Sequence, residues 1–293
     1  MNNLLIKTAF CFVLGSLIQT AYANPQTTSR EYKVLLNPDN FSYSNEANNV
    51  NQYFSSAKNA IENKISRNVT GFLSFDGSRQ VKFYDTQGSC TLNHLGYIFR
   101  ERIENGKSEV TLKYRGYDPF IADFEDLSSS VSGAKTKFED DITGKPSQPF
   151  ALISSKSTTA KNTRNIQQFS DLQALFPGFA NNYSYSANQS LNLVSNLNIT
   201  EREYSGAVVD LGEFDADMEL TLWYNGTPNN NSKPIAAEIS FKYEDANANY
   251  TKKVVNRAAN ALVALNNMSN WTASGSTKTK TQLVYQYQSN FCN

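Results

Sequence analysis

Two neighbouring segments place four positive charges on one face of a predicted β-hairpin. The first reads Ile-Phe-Arg-Glu-Arg, and the second, beyond an Asn-Gly turn, reads Val-Thr-Leu-Lys-Tyr-Arg. Successive side chains of a strand point to opposite faces. Arg100 and Arg102 therefore share one face of their strand, as Lys113 and Arg115 do on the next. Four such cations repel one another unless water screens them or an anion lies among them, so the pattern suits a ligand with several phosphates.

The remainder of the chain indicates a mainly β protein with flanking helices. Its 16 Tyr and 18 Phe, with abundant Thr, favour strands, and Asn- and Ser-rich stretches favour loops between them. Besides the hairpin, strands are predicted over residues 30–36, 69–76, 80–86, 136–143, 198–210, 217–224, 235–244 and 283–287. The second and third of these are predicted to pair around a turn at residues 76–78.

Apolar spacing predicts helices over residues 49–64, 168–176 and 251–268. The Ser/Thr/Lys-rich residues 144–163 read as a loop because they show no apolar periodicity. The same composition surrounds Lys278 and Lys280, which we expect to be solvated unless a late lysine closes one mouth of a tunnel.

Other predicted strands carry charges on alternate residues in the same way. The residues that share a face are Glu31 with Lys33, Lys137 with Glu139 and Asp141, Asp217 with Glu219, and Glu238 with Ser240 and Lys242. Two interpretations stay open: an antiparallel sheet that turns this face to water, or a sheet closed into a barrel with a polar lumen and helices outside. The face consists almost wholly of Arg, Lys, Glu and Asp, which favours the closed sheet.

A lumen with charges of both signs has a chemical use. The carboxylates of Glu31, Glu139, Asp141 and Glu238 are oxygen ligands of the kind that Mg²⁺ or Mn²⁺ prefers. Arginines and lysines on the other walls would bind phosphate oxygens. A metal held there would polarise phosphorus toward attack by water, so Glu31 and Glu139 are candidate catalytic residues. The single histidine, His94, is interpreted as a surface residue.

The order of these motifs resembles that of the CYTH domains, also called the triphosphate tunnel metalloenzyme superfamily. Phe83-Tyr84-Asp85-Thr86, Phe99-Arg100-Glu101-Arg102 and Thr111-Leu112-Lys113 resemble the family's Y-D-T, L-R-x-R and T-x-K segments. Residues 137–141 look like its next acidic strand, and Arg202 lies where the family offers a further phosphate-binding arginine. Glu238-Ile239-Ser240 falls where the family has a late E-x-E pair.

The resemblance implies an eight-stranded antiparallel tunnel formed by a single domain over residues 24–293. The family includes inorganic triphosphatases, thiamine triphosphatases, class IV adenylyl cyclases and RNA 5′-triphosphatases. The implied partner is therefore a polyphosphate or a small molecule that bears a triphosphate, bound with Mg²⁺ or Mn²⁺. The implied phosphate ligands are Lys33, Arg100, Arg102, Lys113, Arg115, Arg202 and Lys242.

Two serines depart from the family pattern. Ser29 stands where the opening E-x-E-x-K signature has its first acid, and Ser240 stands where the late pair has its second. A serine hydroxyl is a poorer ligand for Mg²⁺ than a carboxylate. Three hypotheses follow: a metal-dependent triphosphatase, a non-catalytic protein that binds polyphosphate or another anion, and a β-rich structural protein whose charged faces meet water.

Residues 1–23 are predicted to be a secretory signal peptide. Lys7 supplies the positive charge of the n-region, and residues 9–18 form the apolar h-region. Ala21-Tyr22-Ala23 matches a cleavage site with small residues. No later stretch approaches the roughly 20 apolar residues that a membrane-spanning helix needs. We therefore expect a periplasmic or secreted protein. Its substrates are not expected to be the cytoplasmic ones of the cyclases and RNA-capping enzymes.

The cysteines indicate the compartment, and the charge balance limits the classes of partner. Loss of the signal peptide leaves Cys90 and Cys292, which predicts one disulfide in an oxidising compartment, with two buried free thiols as the alternative. Lysine plus arginine and aspartate plus glutamate number 27 each. That balance gives no sign of a nucleic-acid-binding protein, so any basic site must be local.

Overall fold

The structure is a computed structural model that describes residues 25–145, 147–273 and 278–293. The predicted signal peptide, residues 1–23, lies outside the described residues. The strands are β1 (Ser29–Leu36), β2 (Val69–Asp85), β3 (Tyr97–Glu104), β4 (Lys107–Gly116), β5 (Lys135–Lys145), β6 (Gln148–Lys161), β7 (Asn192–Leu193), β8 (Ile199–Asp210), β9 (Asp215–Asn225) and β10 (Ala236–Glu244). The helices are α1 (Glu46–Ile65), α2 (Thr91–His94), α3 (Pro119–Phe124), α4 (Phe169–Leu175), α5 (Pro177–Asn182), α6 (Lys252–Asn266) and α7 (Lys280–Tyr287).

Nine of these strands close into a hydrogen-bonded ring in the order β2-β3-β4-β6-β5-β1-β10-β9-β8, and β8 pairs back to β2. This confirms the mainly β fold with a closed sheet and flanking helices. The prediction of eight antiparallel strands is wrong in count, and β1 and β5 are parallel. A ring in which every neighbour is antiparallel needs an even number of strands, so a ring of nine must contain a parallel pair.

The two strands predicted over residues 69–76 and 80–86 form a single strand, β2, of 17 residues. Register shifts against β8 between Gly71 and Ser74 and between Phe75 and Gly77 take the place of the predicted turn. Extra residues of this kind bend a strand without ending it. The bend lets the second part of β2 pair with β3 as well as with β8, which closes the ring.

The predicted loop over residues 144–163 is wrong, because most of it forms β6 between β4 and β5. Threonine is a good strand former despite its polarity. Thr159 faces Thr111 of β4 with their hydroxyl oxygens 2.9 Å apart, and Thr158 faces Thr136 of β5 at 2.8 Å. Cross-strand hydroxyl pairs of this kind replace the apolar contacts that strand prediction looks for.

The strand predicted over residues 283–287 is also wrong, because this segment is the helix α7. Thr279 caps the helix: its side chain accepts from the Gln282 N–H at 3.3 Å, and the Gln282 side chain accepts from the Thr279 N–H at 2.8 Å. This reciprocal capping box is visible in the sequence as T-x-x-Q. The helix is short, so its few apolar residues show no clear period.

Helices cover the apolar outer face of the ring, as the closed-sheet interpretation requires. The first core packs α1 and α6 against the outward side chains of β1, β8, β9 and β10, including Val50, Phe54, Leu220, Phe241 and Leu262. The second packs α4 and α5 against β3 and β4, including Phe99, Leu112, Phe169, Phe176 and Phe179. The helices predicted over residues 49–64, 168–176 and 251–268 are thereby confirmed as α1, α4 and α6.

A third core fills one end of the ring interior. It joins the inward side chains of Phe83, Ile98 and Trp223 to α7 and to the residues that follow it. The Cys90–Cys292 disulfide, with Cα atoms 5.2 Å apart, ties this C-terminal segment to the loop after β2, as the sequence predicts. In the part of the chain that the structure describes, no helix is both long and apolar enough to cross a bilayer.

Asp85 organises the same end of the ring. Its buried carboxylate accepts hydrogen bonds from the backbone N–H groups of Thr86, Leu92 and Asn93 at 2.7, 2.9 and 2.9 Å. The hydroxyl of Tyr285, from α7, donates to Oδ2 at 2.9 Å, the oxygen that also accepts from Asn93. The aspartate of the Y-D-T segment thus joins β2, α2 and α7.

We expect Asp85→Ala to lower the free energy of unfolding by roughly 2–4 kcal/mol, because it leaves several buried donors without an acceptor. Urea denaturation measures the change. Asp76→Ala is the matched control, since Asp76 lies exposed on the same strand with one side-chain hydrogen bond, to Ser205. Equal effects of the two substitutions would contradict the organising role of Asp85.

Candidate functional site

The ring encloses a cavity of about 460 Å³ whose walls are mostly charged. Its charged lining consists of Glu31, Lys33, Arg79, Arg100, Arg102, Lys113, Arg115, Lys137, Glu139, Glu203, Asp217, Glu219, Glu238, Lys242 and Lys280. Alternate residues of each strand therefore face inward, and the apolar residues between them face the helices. Of the two interpretations left open by the sequence, the structure has the closed sheet with a charged interior.

Three of the four predicted metal ligands lie together. One oxygen each of Glu31, Glu139 and Asp141 fall within 4.8 Å of one another. The parallel pairing of β1 and β5 brings this about, because it sets Glu31 beside Asp141 in register. Glu238 is not part of this group and instead lies 3.3 Å from the ammonium of Lys280.

Two lysines lie among the three acids. Lys33 Nζ is 2.8 Å from Glu31 and 2.5 Å from Asp141, and Lys113 Nζ is 2.7 Å from Glu139 and 2.9 Å from Asp141. Burial raises the pKa of Glu139, but the charge of Lys113 and other cations lowers it to about 2. Burial likewise opposes ionisation of Asp141, yet these lysines hold its pKa well below the usual value. Glu139 and Asp141 are therefore ionised at neutral pH.

This donor set fits Mg²⁺ or Mn²⁺ in chemistry and spacing, since both cations prefer carboxylate oxygens. A divalent ion bound by Glu31, Glu139 and Asp141 would take over the charge compensation that Lys33 and Lys113 now provide. Both ammonium groups would then be available to an anion in the cavity.

Arginines dominate the wall formed by β3 and β4. Arg100, Arg102 and Arg115 each have a buried Nε atom without a hydrogen-bond partner. Arg102 lies 3.5 Å from Glu201, and Arg115 lies 3.4 Å from Asp141. Within the described residues Arg100 has no carboxylate within 4.0 Å. Burial and the charge of Arg102 lower the pKa of Arg100 to about 9, so it remains a cation at neutral pH.

The unpaired arginine identifies the place where an anion is needed. A buried charge is costly unless an opposite charge or hydrogen-bond acceptors compensate it. The other cavity cations named so far have acidic partners within 4.0 Å, whereas Arg100 has like charges around it. A phosphate oxygen beside Arg100 would supply the missing compensation.

Arg202 is not a cavity residue, so its prediction as a phosphate ligand is wrong. Its guanidinium lies on the outer face of β8, 2.6 Å from Glu46 of α1 and over the rings of Phe75 and Tyr43. Before the bulge that follows Tyr204, the inward positions of this strand are the odd ones, which carry Glu201 and Glu203. Lys242 does line the cavity, at 2.9 Å from Glu244.

Glu201 is a buried acid beside the cavity that the sequence did not reveal. It is fully buried and lies 2.5 Å from Arg79, 3.5 Å from Arg102 and 3.7 Å from Lys280. Burial opposes its ionisation, but these cations hold its pKa far below the usual value. Glu201 thus orients three cations toward the cavity. Strand alternation placed it opposite Arg202, but did not show which face was inward.

Glu219 is an acid without a cationic partner within the described residues. Burial and the charge of Glu203 raise its pKa to about 7. It lies beside Ser240 of β10 in register, and Ser240 lies beside Lys33 of β1. One wall of the cavity therefore carries Arg100, a cation without an acidic partner among the described residues. Another wall carries Glu219, an acid that is partly protonated at neutral pH.

Comparisons with known proteins find similarity in solved structures alone. No family model and no curated protein matches the chain. A putative adenylyl cyclase from Hippeastrum with a dominant triphosphatase activity is 12% identical, over 88% of this chain and 94% of that chain, with a TM-score of 0.43. Putative adenylate cyclases from Bacillus halodurans and Vibrio parahaemolyticus are 12% and 11% identical, each over 88% of this chain and 98% of the other, with TM-scores of 0.38 and 0.34.

These are proteins of the kinds that the sequence resemblance names. TM-scores below 0.5 describe a distant similarity, so the functional proposal rests on the chain's own ring and charges.

Glu219→Gln is expected to change how stability depends on pH. A carboxyl with a raised pKa in the folded state stabilises the fold as pH falls and destabilises it as pH rises through that pKa. The variant should therefore be more stable than the parent above pH 7, by roughly 1–3 kcal/mol, and equal to it near pH 4, below the ordinary pKa of a glutamate. Urea denaturation across this range checks it. Glu109→Gln, at an exposed acid, should not change how the free energy of unfolding depends on pH. If the stability difference between Glu219→Gln and the parent is the same at every pH, the raised pKa of Glu219 is contradicted.

Proposed function

We propose that the ring cavity binds an inorganic polyphosphate or a small molecule that carries a triphosphate. The observation that carries the proposal is the wall of Arg100, Arg102 and Arg115, where three guanidinium Nε atoms are buried without partners. Guanidinium groups bind phosphate oxygens in bidentate fashion and stay charged at all physiological pH values. A chain of phosphates would compensate several of these cations at once.

The lysines extend this anion site toward the acids. Lys113 lies on the same face of β4 as Arg115, and Lys33 lies across the cavity on β1. A ligand that reaches from the arginines to these lysines needs anionic groups at both ends. A linear triphosphate meets that requirement better than a single phosphate.

A second candidate function is hydrolysis of the bound triphosphate, and the cluster of Glu31, Glu139 and Asp141 favours it. These residues would hold Mg²⁺ or Mn²⁺, which when bound supplies polarisation of a phosphoryl oxygen toward attack by water. Arg100 and Lys113 would neutralise the charge that develops on the transferred phosphoryl group. Catalysis of this type needs positioning and charge more than an acid–base pair.

The two serine departures reduce the metal ligands to this cluster. The Ser29 hydroxyl donates to Glu244 at 3.3 Å, away from the three acids, and Ser240 offers a hydroxyl in the cavity wall. A metal would therefore be held by three carboxylates. The proposal of binding does not depend on these ligands, whereas the proposal of hydrolysis does.

We further propose that the protein acts outside the cytoplasm, in the periplasm or after secretion. The predicted signal peptide and the Cys90–Cys292 disulfide support this, since disulfides persist in oxidising compartments. Nucleoside triphosphates are scarce there, so inorganic polyphosphate or another organic triphosphate is the better candidate ligand.

Binding of tripolyphosphate tests the first proposal. We expect Arg100→Met to weaken binding about 10- to 100-fold, because it removes the guanidinium that has no acidic partner within 4.0 Å among the described residues. Isothermal titration calorimetry without added metal measures this. Arg164→Met is the matched control at an exposed arginine and should leave affinity unchanged. Equal effects of both substitutions, or no binding by the parent, would refute the proposal.

Release of phosphate from tripolyphosphate in Mg²⁺ or Mn²⁺ tests hydrolysis. We expect Glu31→Gln to reduce release by about 100-fold or more while it changes binding little, because one of three metal ligands is lost. Asp217→Asn, at an exposed acid of the same cavity, is the control. Tight binding by the parent without any release would favour the non-catalytic binding protein.

A further inference from the structure

The C-terminal segment supplies part of the cavity wall from outside the ring. Thr279, Lys280 and Thr281 line the cavity, although they belong to no strand. The rest of the segment closes the end of the ring, where Val284, Tyr285 and Phe291 are buried in the third core. The cavity is therefore bounded on this side by a helix rather than by the sheet.

Lys280 is the charged group that this helix brings into the ring. Its ammonium lies 3.3 Å from Glu238, 3.7 Å from Glu201 and 4.7 Å from the centre of the Trp223 ring. It also donates to the hydroxyl of Thr221. Without this ammonium, Glu238 would have no cation within 4.0 Å among the described residues, and its negative charge would face any anion in the cavity.

The third core and several hydrogen bonds hold α7, including the one from the Tyr285 hydroxyl to Asp85 at 2.9 Å. The Ser195 hydroxyl donates to the Val284 carbonyl at 2.8 Å, and the Gly88 N–H donates to the Phe291 carbonyl at 2.7 Å. The Cys90–Cys292 disulfide joins the last turn of the segment to the loop after β2, 202 residues earlier in the chain. A helix of eight residues is not stable without such contacts.

We propose that Lys280 is an anion-binding residue of the cavity and that the Cys90–Cys292 disulfide holds it there. Reduction of the disulfide then releases α7 and withdraws one cation from the site. The ligand of Lys280 is taken from the proposed function, so that part rests on it. The release of α7 on reduction does not depend on the proposed function. It makes the oxidised protein the form that binds anions tightly.

The chemistry of release is ordinary thiol–disulfide exchange. A dithiol reductant attacks one sulfur of the bridge through its thiolate, and its second thiol completes the exchange. The two cysteines each gain one electron and one proton, and the reductant leaves as a cyclic disulfide. No cofactor is needed.

A double-mutant cycle separates this role from general stabilisation. Tripolyphosphate affinity is measured by calorimetry for the parent and for Lys280→Met, each oxidised and after reduction with dithiothreitol. We expect reduction and Lys280→Met each to weaken binding about tenfold, and reduction of Lys280→Met to add nothing further. Equal weakening of both proteins by reduction, or no effect on the parent, would overturn the proposal.

Trp223 gives a second measurement that does not depend on phosphate. It is buried beneath Lys280 and is one of two tryptophans, so Trp271→Phe leaves it as the only indole. Iodide should quench its fluorescence more strongly after reduction, while hydrogen exchange of β8 and β9 stays slow. Unchanged quenching, or unfolding of the whole ring on reduction, would contradict local release of α7.

The two measurements also distinguish the two proposals. If the oxidised parent binds no tripolyphosphate while iodide quenching rises on reduction, the proposed function fails and the disulfide-held helix stands. If the parent binds tripolyphosphate and quenching does not change, the proposed function stands and the inference about α7 fails.

Discussion

Compensation between acids and bases inside the ring is the interaction on which the rest of the structure depends. A closed ring with charged side chains turned inward is stable only if each buried charge finds an opposite one. Glu201 with Arg79, and Asp141 with Lys33 and Lys113, satisfy this condition at 2.5–2.9 Å. Among the described residues Arg100 has no acid within 4.0 Å, and Glu219 has no cation. The uncompensated charge of Arg100 makes the interior a site for an anion rather than a neutral core.

The serine at position 240 takes part in the same balance. It lies in register between Lys33 and Glu219, so an acid there would compete for Lys33. With a serine, Lys33 pairs with Glu31 and Asp141, and Glu219 has no cation within 4.0 Å among the described residues. The serine thus leaves this wall with one carboxylate fewer than the CYTH pattern that the sequence resembles.

Alternation along the strands was enough to group the inward-facing residues of β1, β3, β4, β5 and β10, although Arg30, Glu101 and Asp140 place charges on the other face. It failed for Arg202, since both faces of β8 carry charged residues and only the packing of α1 decides which is outer. It also gave a loop in place of β6, where threonine and serine carry too little apolar signal, and a strand in place of α7, whose eight residues are too few to show a helical period. Glu201 was missed because both faces of β8 carry charges. Lys280 was expected to be solvated unless it closed a tunnel mouth, whereas it lines the cavity.

The pairing of β1 with β10 has a consequence for the order in which this chain folds. Ser29 and Glu244 meet through a hydrogen bond between residues 215 positions apart. Contacts between distant residues form late, because the intervening chain must first give up its conformational entropy. Hairpins such as β3–β4 and β8–β9 have no such delay. Closure of the ring must therefore await synthesis of the tenth strand.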